Sequence, residues 1–210
     1  MKTIRLTRSS RLPKRIWYCI VVSSLFAAGR REEAARVLKR GLEEDRVPEK
    51  MFSELFLHLS LILGYPSMLD GLSRLRDLRA QSHQLKERVK ATSDQQAQGL
   101  KVLKRIHGRA TTRLLTNLRM LHEDIPALIV EGAYGGIIGR SGLTLREREI
   151  VNVAVLAIQR LHSQLYSHLR GAIRIGVNWK TLADVIRLAT RISGTEQSYA
   201  LSLLSTIQQN

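Results

Sequence analysis

The residues best suited to chemistry in this sequence are an acid and a base on two successive predicted helices. Glu149 lies near the start of the first helix, and His168 lies within the second. A carboxylate beside an imidazole orients the ring and raises its pKa, so such a pair can move protons to and from a substrate. The structural alternative is a carboxylate stabilised by the helix dipole and a histidine bonded to a neighbour. The two residues by themselves leave both interpretations open.

Hydrophobic patterning predicts the two helices that must position this pair. The first, about 145–158, is apolar nearly all round, which is typical of a buried helix. The second, about 163–175, is amphipathic because Leu165, Leu169 and Ala172 recur on one stripe, and Gly176 ends it. A short turn at 159–162 joins them. At the helical rise the two residues differ in axial position by roughly 6 Å, which their side chains can close.

This stretch resembles the carboxymuconolactone decarboxylase-like family, which also contains the alkylhydroperoxidase D-like proteins. The family pattern is an Arg-Glu pair opening an apolar helix, a turn, then Gln-Leu-x-x-His-x-x-Gly-Ala and a closing Gly. The upstream sequence EGAYGGIIGRSGL is similar to the family's aromatic-Gly segment. The resemblance covers residues 96 to about 204, and the matching residues are Arg148, Glu149, Gln164, Leu165, His168, Gly171, Ala172 and Gly176.

The resemblance implies an all-α, alkylhydroperoxidase D-like helical bundle that forms homo-oligomers. It also implies that His168 and Glu149 are catalytic, acting by acid–base chemistry on a small carboxylate or lactone, as a decarboxylase or other lyase would. Tyr134, the aromatic of the upstream segment, is expected to lean into the pocket. Gln164 can donate and accept, so it could hold a substrate carboxylate or a water, although a surface amide is an equal alternative. Tyr134 and Gln164 are the candidate substrate-binding residues.

The sequence departs from the redox branch of that family. Those members carry Cys-x-x-Cys ending four residues before the histidine, where this chain has Leu161 and Gln164. Its only cysteine is Cys19, and thiol peroxidases need a thiolate and normally a resolving thiol. We therefore expect no cysteine peroxidase chemistry and no cofactor. We also expect no metal, because five of the six histidines show no ligand spacing: His83, His107, His122, His162 and His168.

An internal repeat organises the rest of the chain. Shifted by 130 residues, 16–64 aligns without gaps on 146–194, with ten of 49 positions identical. Glu149, Gln164 and His168 fall on apolar or small residues of the first copy, which therefore keeps the helices without the site. We predict two degenerate helical repeats, with a half repeat at 1–80, a basic helical connector at 81–95 and the family-like domain at 96–210. No alternating strand pattern is present, which favours an all-α class.

The charge is strongly basic, with 34 Lys and Arg against 18 Asp and Glu, a formal net charge of +16. Such a surface attracts polyanions nonspecifically, so contact with nucleic acid or an anionic membrane surface is possible. Aromatics make up only 5% and no nucleic-acid-binding motif is present, which weakens that interpretation. The alternative to an enzyme is a noncatalytic helical scaffold or binding module whose basic surface contacts polyanions.

The N-terminus admits a targeting interpretation. Six basic residues and no acid precede an apolar run, as in a secretory signal or an organelle transit peptide. Cleavage after Ala28 would place Phe26 where a small residue is needed, however. The repeat instead predicts that this run is a core helix, so we expect a cytoplasmic protein.

Overall fold

The described part of the protein is helical throughout. A computed structural model describes residues 12–79 and 94–209, and no strand occurs in these two ranges. The predicted all-α helical bundle is therefore confirmed. The helices are α1 Lys14–Ala27, α2 Arg31–Glu43, α3 Glu49–Arg79, α4 Gln95–His107, α5 Thr111–Leu121, α6 (Ile125–Ala127 continuing as a π-helix over Leu128–Ile138), α7 Leu145–Gln159, α8 His162–Arg174, α9 Trp179–Ser193 and α10 Ser198–Gln209.

Helix α7 lies at the centre of the molecule, where it packs against α1, α3, α8 and α9. Its start is fixed by a capping box: the Thr144 side chain accepts from the Glu147 N–H, and the Glu147 carboxylate accepts from the Thr144 N–H at 2.7 Å. Every residue from Glu147 to Ala157 is buried. This capping fixes where the helix begins, so it also fixes the direction in which Glu149 points.

The apolar N-terminal run forms α1, a core helix that packs on α7 and α9. Its residues Trp17 to Phe26 are all buried. A segment that supplies a full layer of the core cannot be removed without exposing α7 and α9 to water.

Helix boundaries recur at the 130-residue offset found in the sequence. α1 corresponds to α7, α2 to α8, and the first part of α3 to α9. Gly64, inside α3, and Gly194, after α9, both take positive φ, at 78° and 75°. Glycine suits both positions because other residues rarely adopt that conformation. The predicted connector at 81–95 lies almost wholly outside the described residues.

Helix α3 consists of two helical parts that meet at Gly64, where the backbone takes non-helical dihedral angles (φ 78°, ψ 166°). By length and composition alone, Glu49–Leu78 could cross a membrane, which is weak evidence for a span. Two polar residues inside it, Glu54 and His58, are buried and contact residues of α7. These contacts indicate that the first half of α3 belongs to the protein core.

Helices α4 and α6 approach each other closely because glycines line their contact. A Cβ atom on Gly99 would lie 1.9 Å from the carbonyl oxygen of Val130, and one on Gly135 would lie 2.1 Å from that of Gln95. No side chain fits at either position without separating the two helices. This packing matters for the site because α4 carries His107 and α6 carries Tyr134.

We predict that Gly99→Ala lowers the free energy of unfolding by about 1–3 kcal/mol, because the added methyl group overpacks the α4–α6 contact. Gly132→Ala is the matched control, since nothing lies within 4 Å of a Cβ atom there. That variant should be neutral or slightly stabilising, because glycine within a helix costs conformational entropy. Urea denaturation of both proteins checks the difference, and equal stabilities would contradict the close packing.

Candidate active site

The structure brings Glu149 and His168 together across the α7–α8 contact. His168 Nδ1 lies 2.9 Å from Glu149 Oε2. The carboxylate is fully buried, whereas 22% of the His168 side-chain surface remains accessible to solvent. Gly171, one turn after His168, makes room for the carboxylate, since a Cβ atom there would lie 3.0 Å from Oε2. The imidazole is thus held by a buried carboxylate and remains partly accessible to solvent.

Two opposing effects act on the pKa of His168. Burial disfavours the charged imidazolium, but the charge of Glu149 and its hydrogen bond more than offset this, so the pKa of His168 is raised above its ordinary value. A histidine with a raised pKa carries a proton over more of the neutral pH range. The pair is consequently arranged for proton transfer, with the carboxylate stabilising the charged state.

A buried amide extends the pair into a network. Asn152, one turn after Glu149 on α7, has Nδ2 3.2 Å from Glu149 Oε1 and 3.1 Å from His168 Nδ1. Its Oδ1 lies 2.8 Å from Nε2 of His58, a fully buried residue of α3. Burial, followed by the nearby positive charge of Arg148, lowers the pKa of His58 to about 3. His58 is therefore neutral at physiological pH.

A second hydrogen-bonded pair, His107 and Tyr134, lies close enough to Glu149 for its charge to act on both residues. His107 Nε2 on α4 is 2.7 Å from the Tyr134 hydroxyl on α6, and both side chains are buried. Burial lowers the pKa of His107 to about 4, although Glu149 acts in the opposite direction. Burial and the charge of Glu149 both raise the pKa of Tyr134, so it remains a neutral phenol. Its π-helical segment is a rare geometry that occurs often at functional sites.

The two predicted substrate-binding residues have different surroundings. Tyr134 is 6% exposed and its hydroxyl is engaged by His107. Gln164 is exposed on α8, one turn before His168. Two open clefts, of about 690 and 630 Å³, lie along α9 at Asp184 and Arg187, and none of the four predicted site residues lines either cleft.

The sequence analysis missed Asn152, His58 and the role of His107. Asn152 and His58 each interrupt an otherwise apolar run of a buried helix. Because a buried polar group needs a partner, that interruption was the available signal. Only the tertiary structure shows which partners they find. In the described residues, no group of three or more His, Cys, Asp and Glu side chains is arranged to hold a metal ion.

A buried ion cluster joins α3 to the start of α7 beside this network. Glu54 of α3 lies 3.1 Å from Nη2 of Arg148 and 2.6 Å from Nη2 of Arg140. Glu54 and Arg148 are both buried, and breaking such a pair by removing one partner leaves an uncompensated charge. In the Arg-Glu pair, Arg148 thus anchors α7 to the N-terminal half through Glu54, and Glu149 faces His168.

Comparison with known proteins bears on the predicted family. Residues 124–205 match the Carboxymuconolactone decarboxylase family. A curated relative, Peroxisomal protein 2 of Saccharomyces cerevisiae, is 31% identical over 96 residues, which is 45% of this chain and 34% of the relative. The match thus spans about a third of that relative's length. The family match confirms the resemblance found in the sequence motifs, and it contains Tyr134, Glu149, Gln164 and His168.

We predict that Glu149→Gln lowers the pKa of His168, because an uncharged amide no longer stabilises the imidazolium. The raised pKa contributes stability that is fully present below the unfolded pKa and is lost as pH rises through the folded pKa. The difference in free energy of unfolding between wild type and Glu149→Gln should therefore decrease as pH rises through the folded-state pKa of His168. NMR titration of the His168 ring and denaturation across pH measure both effects. An unchanged His168 titration would exclude the ion pair.

We predict that Cys19 is unreactive in the native protein. It is fully buried in α1, and burial, with a smaller contribution from Glu147, raises its pKa to about 12. Because thiolates carry the reactivity, labelling by a disulfide reagent should require unfolding. Peroxide turnover with a dithiol donor should stay at background in wild type and in Cys19→Ser. Turnover that disappears in the variant would contradict this.

Proposed function

We propose that this protein performs acid–base chemistry on a small carboxylate or lactone, because residues 124–205 match the carboxymuconolactone decarboxylase family. The proposed catalytic residues are His168 and Glu149. The observation that carries the proposal is their 2.9 Å contact, made between a fully buried carboxylate and a histidine that remains partly exposed. A structural pair has no need for that exposure, whereas a proton-transfer residue must reach its substrate.

The proposed chemistry assigns the two ring nitrogens different tasks. Nδ1 of His168 donates to Glu149, which fixes the ring orientation and leaves Nε2 for the substrate. As a general base, Nε2 takes a proton from a carbon beside a carbonyl group, and Glu149 stabilises the imidazolium that forms. In a decarboxylation, carbon dioxide leaves, the electron pair stays on the adjacent carbon, and the imidazolium supplies the proton there.

Substrate binding is proposed for Gln164 and Tyr134. The amide of Gln164 projects from the same helix as His168 and offers both a donor and an acceptor to a carboxylate. The Tyr134 hydroxyl is a neutral donor, although His107 occupies it in this structure. A substrate carboxylate would compete with His107 for that donor.

A homo-oligomer is part of the same proposal. Large apolar side chains are exposed on α5 and α6, where Met120 is 80%, Leu121 79% and Leu128 64% exposed. Apolar groups clustered at a surface are typical of protein interfaces. Contact with a second copy of the chain would bury these apolar side chains away from water.

A second candidate is a noncatalytic helical scaffold or binding module that contacts polyanions. The net charge of +16 supports it, as does the position of the two clefts away from the pair. A cytoplasmic location remains a prediction, because the name of the yeast relative describes that protein alone. Salt-dependent oligonucleotide binding distinguishes this candidate: tight, sequence-selective binding at physiological salt would favour it over the enzyme.

We predict that His168→Gln reduces turnover of small carboxylates or lactones by about 100-fold or more while leaving the fold intact, because general acid–base catalysis contributes on that scale. Glu149→Gln and the double variant should lose similar amounts, since the residues act as one unit. Exposed His162, at the start of α8, provides the matched control through His162→Gln.

A panel of small carboxylates and lactones, followed by NMR for binding and product formation, provides the measurement. Thermal unfolding of the same proteins separates function from structure. Measured at a pH above the folded pKa of His168, where the ion pair no longer adds stability, a functional pair predicts melting temperatures near or above that of wild type, whereas a structural pair predicts loss of stability. If all three site variants bind the ligand as wild type does, the assignment of His168 and Glu149 to the active site would be wrong.

A further inference from the structure

We propose that His58, from the N-terminal half of the chain, is a positioning residue that orients Asn152 and thereby sets the proton affinity of the Glu149–His168 pair. The inference rests on the proposed function of that pair. His58 lies on α3, well before the family match at 124–205. The candidate site would then be incomplete without the N-terminal half.

The hydrogen-bond pattern defines how the Asn152 amide must face. In the ion-paired state the Glu149 carboxylate only accepts, so the group 3.2 Å from its Oε1 must be the amide NH₂. The amide oxygen then faces Nε2 of His58 at 2.8 Å, which requires that Nε2 carry the proton. His58 is thus a fixed donor that prevents the amide from turning over.

The orientation matters because Asn152 Nδ2 also lies 3.1 Å from Nδ1 of His168. The positive end of an N–H dipole at that distance disfavours the imidazolium, so the amide opposes the effect of Glu149. If the amide turned, its oxygen would face Nδ1–H and stabilise the charged ring. His58 therefore keeps the proton affinity of His168 within the range in which the ring both takes and gives a proton.

The charged and titratable groups around His168 come from several helices. Glu149 on α7 attracts the imidazolium, His107 on α4 couples to it electrostatically, and His58 on α3 acts through Asn152. His58 itself is neutral because burial and Arg148 hold its pKa near 3. Replacing it by a neutral residue consequently changes the hydrogen bonding of the network without changing its charge.

The corresponding positions of the first repeat show that packing alone does not require these polar residues. At the 130-residue offset, the four members of the network correspond to buried residues without a charged or amide group: Cys19 for Glu149, Val22 for Asn152, Leu38 for His168 and Leu188 for His58. The same arrangement of helices therefore accommodates buried residues without charge at one set of positions and a hydrogen-bonded polar network at the other.

The test measures the pKa of His168 by NMR, which needs no substrate. His58→Leu should raise that pKa by about one unit, the scale expected when one hydrogen bond to a charged group is reorganised. His58→Gln, whose amide can still donate to Asn152 Oδ1, should restore a value near wild type. Phe56→Leu is the control, because Phe56 is a buried residue of the same helix that packs on Phe26, and it should leave the pKa unchanged.

A double-variant comparison distinguishes positioning from general loosening of the core. Asn152→Leu should raise the His168 pKa by itself, and adding His58→Leu should then cause no further shift, because the intermediary is gone. An equal shift from His58→Leu with and without Asn152 would overturn the proposal, as would no shift in either case. If His58→Leu does not fold, the nitrogen chemical shifts of His58 in wild type decide: an unprotonated Nε2 would exclude the proposed donor.

These outcomes are separable from the function of the pair. A His168 pKa that responds to His58 in a protein that turns over no small carboxylate would support the positioning role and remove the enzymatic proposal. Turnover of a small carboxylate in a protein whose His168 pKa does not respond to His58 would support the enzymatic proposal and remove the positioning role.

Discussion

Burial of the Glu149 carboxylate is the constraint on which the rest of the site depends. A carboxylate removed from water must be compensated by opposite charge or by hydrogen-bond donors, or else take up a proton. Glu149 has both kinds of partner, with His168 at one oxygen and Asn152 at the other. Gly171 is part of the same arrangement, because only a residue without a side chain lets α8 approach the carboxylate this closely.

This constraint connects the two halves of the chain. The amide NH₂ of Asn152 donates to Glu149 Oε1, and its oxygen accepts from Nε2 of His58 on α3. Glu54, one turn earlier on α3, compensates the buried guanidinium of Arg148. The two contacts join successive turns of α3 to α7. The helix that carries the carboxylate is thus held at two neighbouring points by residues outside the family match.

The two segments related by the 130-residue offset, 16–64 and 146–194, separate the requirements of the fold from those of chemistry. The helix boundaries correspond closely, and positive-φ glycines lie at equivalent positions, Gly64 at the bend of α3 and Gly194 after α9. The interior differs, because the positions at this offset from Glu149, Asn152, His168 and His58 hold other buried residues: Cys19, Val22, Leu38 and Leu188. Apolar packing is tolerant of residue identity when volume and patterning are kept. A polar network is intolerant, because each buried member needs a specific partner, so the network is the part that requires a functional explanation.

The sequence by itself determined the all-α class, the α7–turn–α8 unit and the Glu149–His168 candidate pair. Those inferences rest on helical periodicity and on residues close in the chain, where the rise per residue fixes which side chains can meet. The tertiary structure alone showed that His58 and Glu54 reach α7, that His107 meets Tyr134, and that Gln164 faces solvent. These contacts join residues far apart in sequence, and the packing of whole helices decides them. Periodicity places a residue on a face of its helix, but it does not specify which helix covers that face.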